Sequence, residues 1–269
     1  VIIGGASTAY PATSSTQFDP RLSARYALTE RSAVRASVYR AFNAPTLRDL
    51  YRNNQSGSST ILGNPYLQPE TLVGGEAGIE WANGNSRVEL NLYRSTIDGM
   101  QSRFALRGSP NLFQIMNLGT ARSQGVEAAG DMRLSRRWAV NAGYTYAHSV
   151  VTSDPTPSLV GKWIAEVPRH SGSLSVRFRG DGGTTGEIRG RVVGRSYGDV
   201  SNLAVAPAHR IVDFSFSQPL RSCTNVYVLV ENAFDEEYYQ PLAVNSFRSG
   251  LPRTVTAGVR IDAFRRGRP

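Results

Sequence analysis

Hydrophobic and polar residues alternate along many short segments of this chain. In Arg87–Leu92 the apolar residues Val88, Leu90 and Leu92 alternate with charged or polar neighbours, and Leu174–Arg179 has the same pattern. Because successive side chains of a β-strand point to opposite faces, each segment has one apolar face and one polar face. The polar faces carry Arg, Glu or Asp in strand after strand. This pattern is typical of a β-barrel that crosses a lipid bilayer around a wet interior.

The alternation predicts about eleven strands that follow a loop over residues 1–20. The predicted strands span residues 21–29, 32–42, 71–82, 86–98, 112–134 (with an interruption), 138–152, 169–179, 185–197, 209–218, 225–232 and 252–264. Many of them exceed the roughly nine residues that a tilted strand needs to cross a bilayer. The predicted fold is therefore all-β, an antiparallel transmembrane β-barrel.

The connections between these strands alternate in length. Short turns such as Asn83–Asn85 and Asp181–Gly183 alternate with long loops, which span residues 43–70, 99–111, 153–168, 198–208 and 233–251. Outer-membrane barrels have short periplasmic turns, long external loops and an even number of strands. An odd number that begins on the loop side and ends on the turn side predicts a fragment of a barrel, and eleven is half of the 22 strands of the plugged transporters.

Charge and hydropathy exclude two other classes of protein. The net charge is +9, and Lys162 is the only lysine among the basic residues. These residues are spread along the strands and do not cluster, which argues against nucleic-acid binding. No segment approaches the ~18–20 consecutive apolar residues of a membrane helix. A barrel remains compatible with the mean hydropathy of −0.29, because only every second strand residue must be apolar.

The sequence contains no recognisable catalytic or metal-binding motif. His148, His170 and His209 are far apart and lack the spacing of metal ligands, and the last two stand where predicted strands begin. Cys223, the single cysteine, lies in a predicted turn and cannot form an internal disulfide. We therefore expect neither an enzyme nor a bound metal or cofactor.

Six segments, taken in order, resemble the C-terminal barrel of TonB-dependent outer-membrane receptors. They are Phe42–Tyr51, Asn64–Glu70, Asn117–Glu127, Pro168–His170, Glu231–Tyr238 and Gly250–Thr254. The motif residues that the resemblance marks are Pro45, Asn64, Pro65, Pro69, Glu70, Asn117, Gly119, Arg122, Gly125, Glu127, Asn232, Phe234, Tyr238, Pro252 and Arg253. The resemblance covers residues 20–264 and therefore nearly the whole chain.

Most of these motif residues are expected to shape the barrel and not to contact a substrate. Pro65 and Pro69 would stiffen a loop before a strand. Gly119 and Gly125 would permit a bulge or a close approach of two backbones. Arg122 and Glu127 would form an ion pair on the wet inner wall.

The resemblance implies energised uptake of a scarce nutrient across the outer membrane of Gram-negative bacteria. The implied substrate is an iron-siderophore complex, with vitamin B12 or a carbohydrate as alternatives. In this family the TonB-ExbB-ExbD complex drives transport through an N-terminal plug domain, which residues 1–269 do not include. The other implied partners are outer-membrane lipids, and no cofactor is implied.

Substrate-binding residues would lie in the long loops. The candidates are Tyr51, Arg52, Arg103, Arg107, Trp163 and Arg248. Arginine suits an anionic ferric complex because it forms charge-assisted hydrogen bonds. Tyrosine and tryptophan offer flat apolar surfaces to a ligand.

Other classes of protein share parts of this pattern. A passive porin would show the same alternation of faces. A soluble β-sandwich binding module would pack its apolar faces together and turn its Arg-rich faces to water. A barrel enzyme such as a lipase or protease is a third alternative.

Overall fold

The computed structural model describes residues 2–3, 6–7, 14, 16–56, 58–106, 108–109, 111–221, 223–243 and 246–261. Its main feature is one antiparallel sheet of 11 strands. In chain order we call these strands β1 to β11, and they span Arg21–Ala27, Ser32–Asn43, Glu70–Asn83, Ser86–Asp98, Thr120–Arg133, Trp138–Ser153, His170–Arg179, Thr185–Val193, His209–Arg221, Thr224–Glu231 and Thr254–Ile261.

Each strand of this sheet pairs with the strand that follows it in the chain, so that β1 and β11 lie at its two edges. The predicted eleven strands and their antiparallel order are confirmed. We call the end with short connections the turn end and the opposite end the loop end. The turn-end connections are residues 28–31, 84–85, 134–137, 180–184 and 222–223, and the loop-end connections are residues 44–69, 99–119, 154–169, 194–208 and 232–253.

Two predicted strands were wrong in their extent. The prediction at 112–134 covers two strands in different sheets, because Leu112–Asn117 belongs to a small sheet of the loops and β5 begins only at Thr120. The prediction at 185–197 runs too far, since β8 ends at Val193 and Ser196–Tyr197 pairs with Val205–Ala206. In both ranges, apolar and polar residues continue to alternate where one strand ends and the next begins. Alternation does not indicate which strand a segment pairs with, so it could not locate these boundaries.

One face of the sheet is apolar and exposed. This apolar face includes Val34 of β2 and its partner Ile79 of β3. Further residues of the same face are Val38, Leu92 and Val259, which are 58%, 56% and 61% exposed. None of these side chains belongs to a buried cluster of the described residues. The apolar face is therefore not the core of a β-sandwich, and it has the character of a surface that lies against lipid.

The opposite face is lined by ion pairs, some between strands and some within one strand. Arg25 contacts Glu80 at 2.5 Å, and Arg191 contacts Asp213 at 3.1 Å. Further pairs on this polar face are Arg35–Glu89, Arg87–Glu80, Arg87–Glu89, Arg177–Glu187 and Arg189–Glu187. Charged side chains of this kind make one face of the sheet polar, as the water-filled interior of a barrel requires.

The predicted ion pair between Arg122 and Glu127 is wrong. Arg122 lies opposite Val150 of β6, whereas Glu127 lies opposite Asn91 of β4 on the polar face. The two residues are five positions apart in a regular strand, and an odd spacing puts side chains on opposite faces. Arg122 therefore lies on the apolar face.

The two motif glycines permit a close approach of backbones, as predicted. A Cβ atom on Gly125 would overlap the carbonyl oxygen of Tyr146 and would lie 2.8 Å from the hydroxyl of Tyr93. A Cβ atom on Gly119 would overlap the carbonyl oxygen of Ser153. The pairing of β5 with β6 also shifts its register directly after Gly119, between Thr120 and Ala121. Only glycine allows the strands to pair at this distance.

The remaining described elements are short, and most of them belong to the loop end. They are the α-helix Leu47–Tyr51, the 3₁₀ turn Pro157–Leu159, and strands Ile2–Ile3, Ala6–Ser7, Asn54–Ser56, Ser59–Leu62, Gln101–Ala105, Leu112–Asn117, Ser196–Tyr197, Val205–Ala206, Tyr239–Ala243 and Ser246–Ser249. Neither of the described helices has the length or apolar composition of a membrane span. Cys223 lies exposed between β9 and β10, and His170 and His209 begin β7 and β9, as predicted.

Candidate substrate-binding loops

Two loops that are distant in sequence share one small sheet at the loop end. Residues 44–69 contribute Asn54–Ser56 and Ser59–Leu62, and residues 99–119 contribute Gln101–Ala105 and Leu112–Asn117. Strand Leu112–Asn117 pairs in parallel with Ser59–Leu62, so the two loops form a single unit. We call this unit the first loop module.

Two motif asparagines join the halves of the first loop module. The side chain of Asn117 accepts a hydrogen bond from the N–H of Gln68 at 3.0 Å and donates to the carbonyl oxygens of Gln68 and Gly99, at 3.0 and 2.5 Å. Asn64 donates from its side chain to the carbonyl oxygen of Ile115 at 3.0 Å. An asparagine side chain carries both a donor and an acceptor, so it can complete the backbone hydrogen bonds of a loop.

Glu70 attaches the same module to the barrel wall. Its carboxylate accepts a hydrogen bond from the N–H of Gln101 at 2.5 Å and another from the side chain of Asn43 at 2.9 Å. The short helix Leu47–Tyr51 starts beside this contact and is capped by Thr46, whose hydroxyl accepts from the N–H of Asp49. A charged acceptor for a backbone N–H strengthens the bond and fixes where the loop leaves the strand.

A second loop module consists of residues 154–169 and 194–208. Its apolar residues cover the loop end of the polar face, and the buried cluster comprises Leu118, Ala121, Val151, Leu159, Ile164 and Val200. Asn202 holds its two segments together, because its side chain accepts from the N–H of Trp163 at 2.7 Å and donates to the Trp163 carbonyl oxygen at 2.8 Å. The module is thus a folded cap and not an open loop.

The third loop module, residues 232–253, is organised around Asn232. This residue is 3% exposed and has a φ of 48°, a conformation that asparagine tolerates better than most residues. Its side chain donates to the carbonyl oxygens of Glu236 and Leu251, at 3.0 and 2.9 Å, and accepts from the N–H of Glu236 at 2.9 Å. Its own N–H donates to Asp213 of β9 at 3.0 Å, which ties the module to the wall.

Other motif residues of this third module pack on one another. The ring of Tyr238 stacks on His209 with 4.7 Å between centroids, and it lies where a Cβ atom on Gly250 would be. Arg253 donates its N–H to the carboxylate of Asp235 at 2.7 Å. Pro252 is exposed beside it, and Phe234 is 73% exposed. Phe234 and Pro252 therefore both face solvent.

The six predicted substrate-binding residues are divided among these modules. Tyr51 ends the helix of the first module, Arg52 follows it, and Arg103 lies exposed on strand Gln101–Ala105 of the same sheet. Trp163 belongs to the second module and Arg248 to the third, where it opposes Gln240. Arg107 lies outside the described residues. The first module is therefore the one that brings several candidates together.

A depression in the polar face was not predicted from the sequence. It has a volume of about 640 Å³ and lies toward the turn end, and the charged or amide side chains that line it include Asp131, Asn141, Arg177, Arg189 and Arg191. The register aligns these residues on neighbouring strands, and no alternation within one strand could have indicated this. Among the described residues, no group of three or more His, Cys, Asp or Glu side chains could hold a metal ion.

Comparisons with known proteins identify the family. A family model described as TonB dependent receptor-like, beta-barrel, matches residues 4–233. The iron-regulated outer membrane virulence protein of Vibrio cholerae is 24% identical over 243 residues, which cover 82% of this chain and 36% of that protein. The metal-pseudopaline receptor CntO of Pseudomonas aeruginosa is 27% identical over 90% of this chain and 33% of its own length.

A solved structure has the same fold. The ferric yersiniabactin uptake receptor FyuA from Yersinia pestis superimposes with a TM-score of 0.72 at 21% identity, over 91% of this chain and 37% of that receptor. This chain spans about a third of the length of the curated relatives that it matches. The family model matches most of the chain. The 11-stranded sheet with its polar and apolar faces, and the loop modules that contain the family motifs, indicate the same family. The chain therefore belongs to the TonB-dependent receptor-like β-barrel family of the outer membrane.

Proposed function

We propose that this chain forms the C-terminal part of the barrel of a receptor that takes up an iron-siderophore complex in a TonB-dependent manner. The family and the relatives described above are receptors and not enzymes, and we extend this to the present chain. Energy would come from the TonB-ExbB-ExbD complex through an N-terminal part of the receptor. Vitamin B12 or a carbohydrate would be the alternative substrate.

The observation that carries this proposal is the structure of the loop end. Three modules, two of which are organised by the family-motif residues Asn117 and Asn232, stand at one end of a sheet whose polar face is lined with ion pairs. A rigid wall with folded loops at one mouth is suited to holding a ligand above a wet interior. A passive channel would need the wall but no such modules.

The first loop module is the proposed place of substrate contact. Tyr51, Arg52 and Arg103 belong to it, and the two arginines are exposed. Guanidinium groups bind anionic oxygen ligands through paired hydrogen bonds, which suits a ferric chelate with a net negative charge. Arg248 and Trp163 remain candidates from the other two modules, and Arg107, outside the described residues, remains a candidate from the sequence alone.

Uptake of radioactive iron tests the proposal. Cells would carry the intact receptor as their only route for a ferric siderophore, and uptake would be measured before and after the proton-motive force is collapsed. We expect collapse to abolish uptake. The double variant Arg52→Gln/Arg103→Gln should weaken binding of the chelate by roughly tenfold for each charge-assisted bond lost.

Arg179→Gln is the matched control, because Arg179 is exposed on the polar face next to a turn and far from the loop modules in the sheet. It should leave uptake unchanged. Uptake that continues without the proton-motive force would overturn TonB dependence and favour a porin. Uptake by the double variant at the wild-type concentration dependence would remove the first module from the proposed site.

A further inference from the structure

A polar patch interrupts the apolar face near the loop end. Cross-strand partners on β4, β5 and β6 form successive rows across this face, because the residues paired in an antiparallel sheet share a side. From the membrane centre toward the loops, the rows are Leu90–Ala128–Tyr144, Leu92–Val126–Tyr146, Arg94–Gln124–His148 and Thr96–Arg122–Val150. The first two rows are aliphatic with one tyrosine each, and the next two rows carry the basic residues.

Within the described part of the chain, the basic residues of this patch have no carboxylate partner. Arg94 is exposed, and Arg122 is half-buried with its Nε atom enclosed and without a hydrogen-bond partner among the described residues. A guanidinium group that no carboxylate neutralises keeps its full positive charge, so the site favours a ligand that supplies anionic oxygens. The nearest acidic residue on this face is Asp98, which lies one row beyond Arg122 toward the loops. Its carboxylate accepts a hydrogen bond from the hydroxyl of Thr120 at 2.7 Å.

Aromatic rings border the patch on the side of β7. The rings of His148 and Trp163 meet edge to face with 5.0 Å between centroids, and the guanidinium of Arg169 lies 4.4 Å from the centroid of Trp163. Below them the hydroxyl of Tyr144 is 2.8 Å from Nδ1 of His170. Amphipathic rings with basic neighbours are characteristic of residues at the level of lipid head groups.

A shallow cavity lies within the same patch. Its volume is about 350 Å³, and the side chains of Arg94, Gln124, Tyr146 and His148 contribute to its lining. The patch opens to the outside of the sheet, away from the ion pairs of the polar face. A ligand that reaches it would come from the membrane and not from the barrel interior.

We propose that this patch, Arg94, Arg122, Gln124 and His148 with the rings of Tyr146 and Trp163, binds the phosphorylated head group of a lipid in the outer leaflet. The inference rests on the membrane placement in the proposed function, with the loops outside. Phosphate oxygens complement the two guanidinium groups, and the acyl chains of the lipid would lie along the aliphatic rows below.

Native mass spectrometry of the intact receptor in detergent tests this inference. The probe is diphosphoryl lipid A, a phosphorylated glycolipid, compared with the same lipid after removal of its phosphates. We expect the wild-type receptor to retain the phosphorylated lipid and to lose the dephosphorylated one. Arg94→Gln/Arg122→Gln should weaken retention by roughly tenfold or more, since each lost charge-assisted bond costs about that factor.

Controls separate this site from general electrostatic attraction. Arg179→Gln removes an exposed arginine of the polar face and should retain the lipid as the wild type does. Arg94→Lys/Arg122→Lys keeps the charge and should restore part of the retention, which guards against a double variant that folds poorly. Heat-modifiable mobility on gels would check the folding of every variant.

Three outcomes would overturn the inference. They are equal retention by the Gln double variant, equal retention of the dephosphorylated lipid, and displacement of the lipid by inorganic phosphate at the same concentration. The last would assign the patch to free phosphate. Because the readout uses no siderophore and no uptake, failure of the lipid site leaves the proposed transport untouched, and failure of transport leaves the lipid result valid.

Discussion

The two ends of the sheet are built in different ways. At the turn end, connections such as residues 84–85 and 134–137 are closed by local backbone hydrogen bonds, for example from the N–H of Leu134 to the carbonyl oxygen of Trp138 at 3.0 Å. At the loop end, side chains such as Asn117 and Asn232 bond to backbone that is up to 49 residues away in the chain. The strands are common to both ends, so their alternation cannot explain the difference.

This difference indicates where the chain carries its specific information. A short turn needs only residues that allow the chain to reverse. A long loop has to satisfy many backbone groups and bury apolar side chains before it can hold a shape. The family motifs lie mainly at the loop end, where these requirements are met by particular side chains.

The largest expected effect on stability comes from comparing a leucine at the loop end of the sheet with a leucine at the turn end. Leu118, at the end of the first loop module, is 2% exposed in the buried cluster that it shares with the second module, whereas Leu134 is 61% exposed in a turn. Leu118→Ala should lower the free energy of unfolding by about 3 kcal/mol, because it removes buried surface and leaves a cavity. Leu134→Ala should cost less than ~1 kcal/mol. Urea unfolding of the intact receptor in lipid vesicles measures both, and equal losses would break the comparison.

Two asparagines give the next contrast. Asn232→Ala removes three side-chain hydrogen bonds at a buried position of positive φ and should cost about 2 kcal/mol. Asn85→Ala removes only an exposed contact to Arg133 at 3.4 Å and should cost less than ~0.5 kcal/mol. Asn232→Gly, which accepts the positive φ, separates the hydrogen bonds from the backbone strain. If the glycine variant were as stable as the wild type, the side-chain bonds would not matter.

Asn117→Ala should have a smaller effect that is confined to one place. Loss of its bonds to Gln68 and Gly99 should cost about 1 kcal/mol and loosen the pairing within the first loop module. Hydrogen–deuterium exchange should then be faster in Ser59–Leu62 and Gln101–Ala105, with strands β7 to β9 unchanged. Faster exchange throughout the sheet would mean that the module and the wall are not separate units.

The smallest expected effect lies in the wall that both ends share. Glu187 of β8 accepts hydrogen bonds from Arg177 and Arg189 at 3.2 and 2.8 Å. Glu187→Gln should cost less than ~1 kcal/mol, and the cost should fall as salt is added, because the paired arginines are about half exposed. Urea unfolding at low and high salt measures this. A loss larger than that of Asn232→Ala would show that the polar wall and not the loop end dominates stability.

The sequence predicted the strands well and the loop modules poorly. The shared apolar face of Val88, Leu90 and Leu92 follows from period-two alternation within a single strand, and it was assigned without knowledge of any partner. The parallel pairing of Ser59–Leu62 with Leu112–Asn117 involves segments about 50 residues apart, and nothing in either segment indicates the other. A strand can pair with any of several other strands, and the alternation of its residues does not determine which one.

The candidate residues show the same limit. Placing candidates in the long loops followed from loop length alone, and it could not tell that Trp163 opposes Val150 and meets His148 on the apolar side. The basic patch could not be predicted, because Arg94, Arg122 and His148 come from three strands. Their proximity exists only once the register is known.

What the sequence by itself determined was local: the eleven strands, their two faces and the alternation of turns with loops. These features need only the pleat of a strand and the preference of apolar groups to avoid water. The tertiary structure decided which residues became neighbours, and with them the loop modules, the inner depression and the basic patch. Neighbours across strands depend on register, and a shift of a single residue moves every side chain of a strand to the other face.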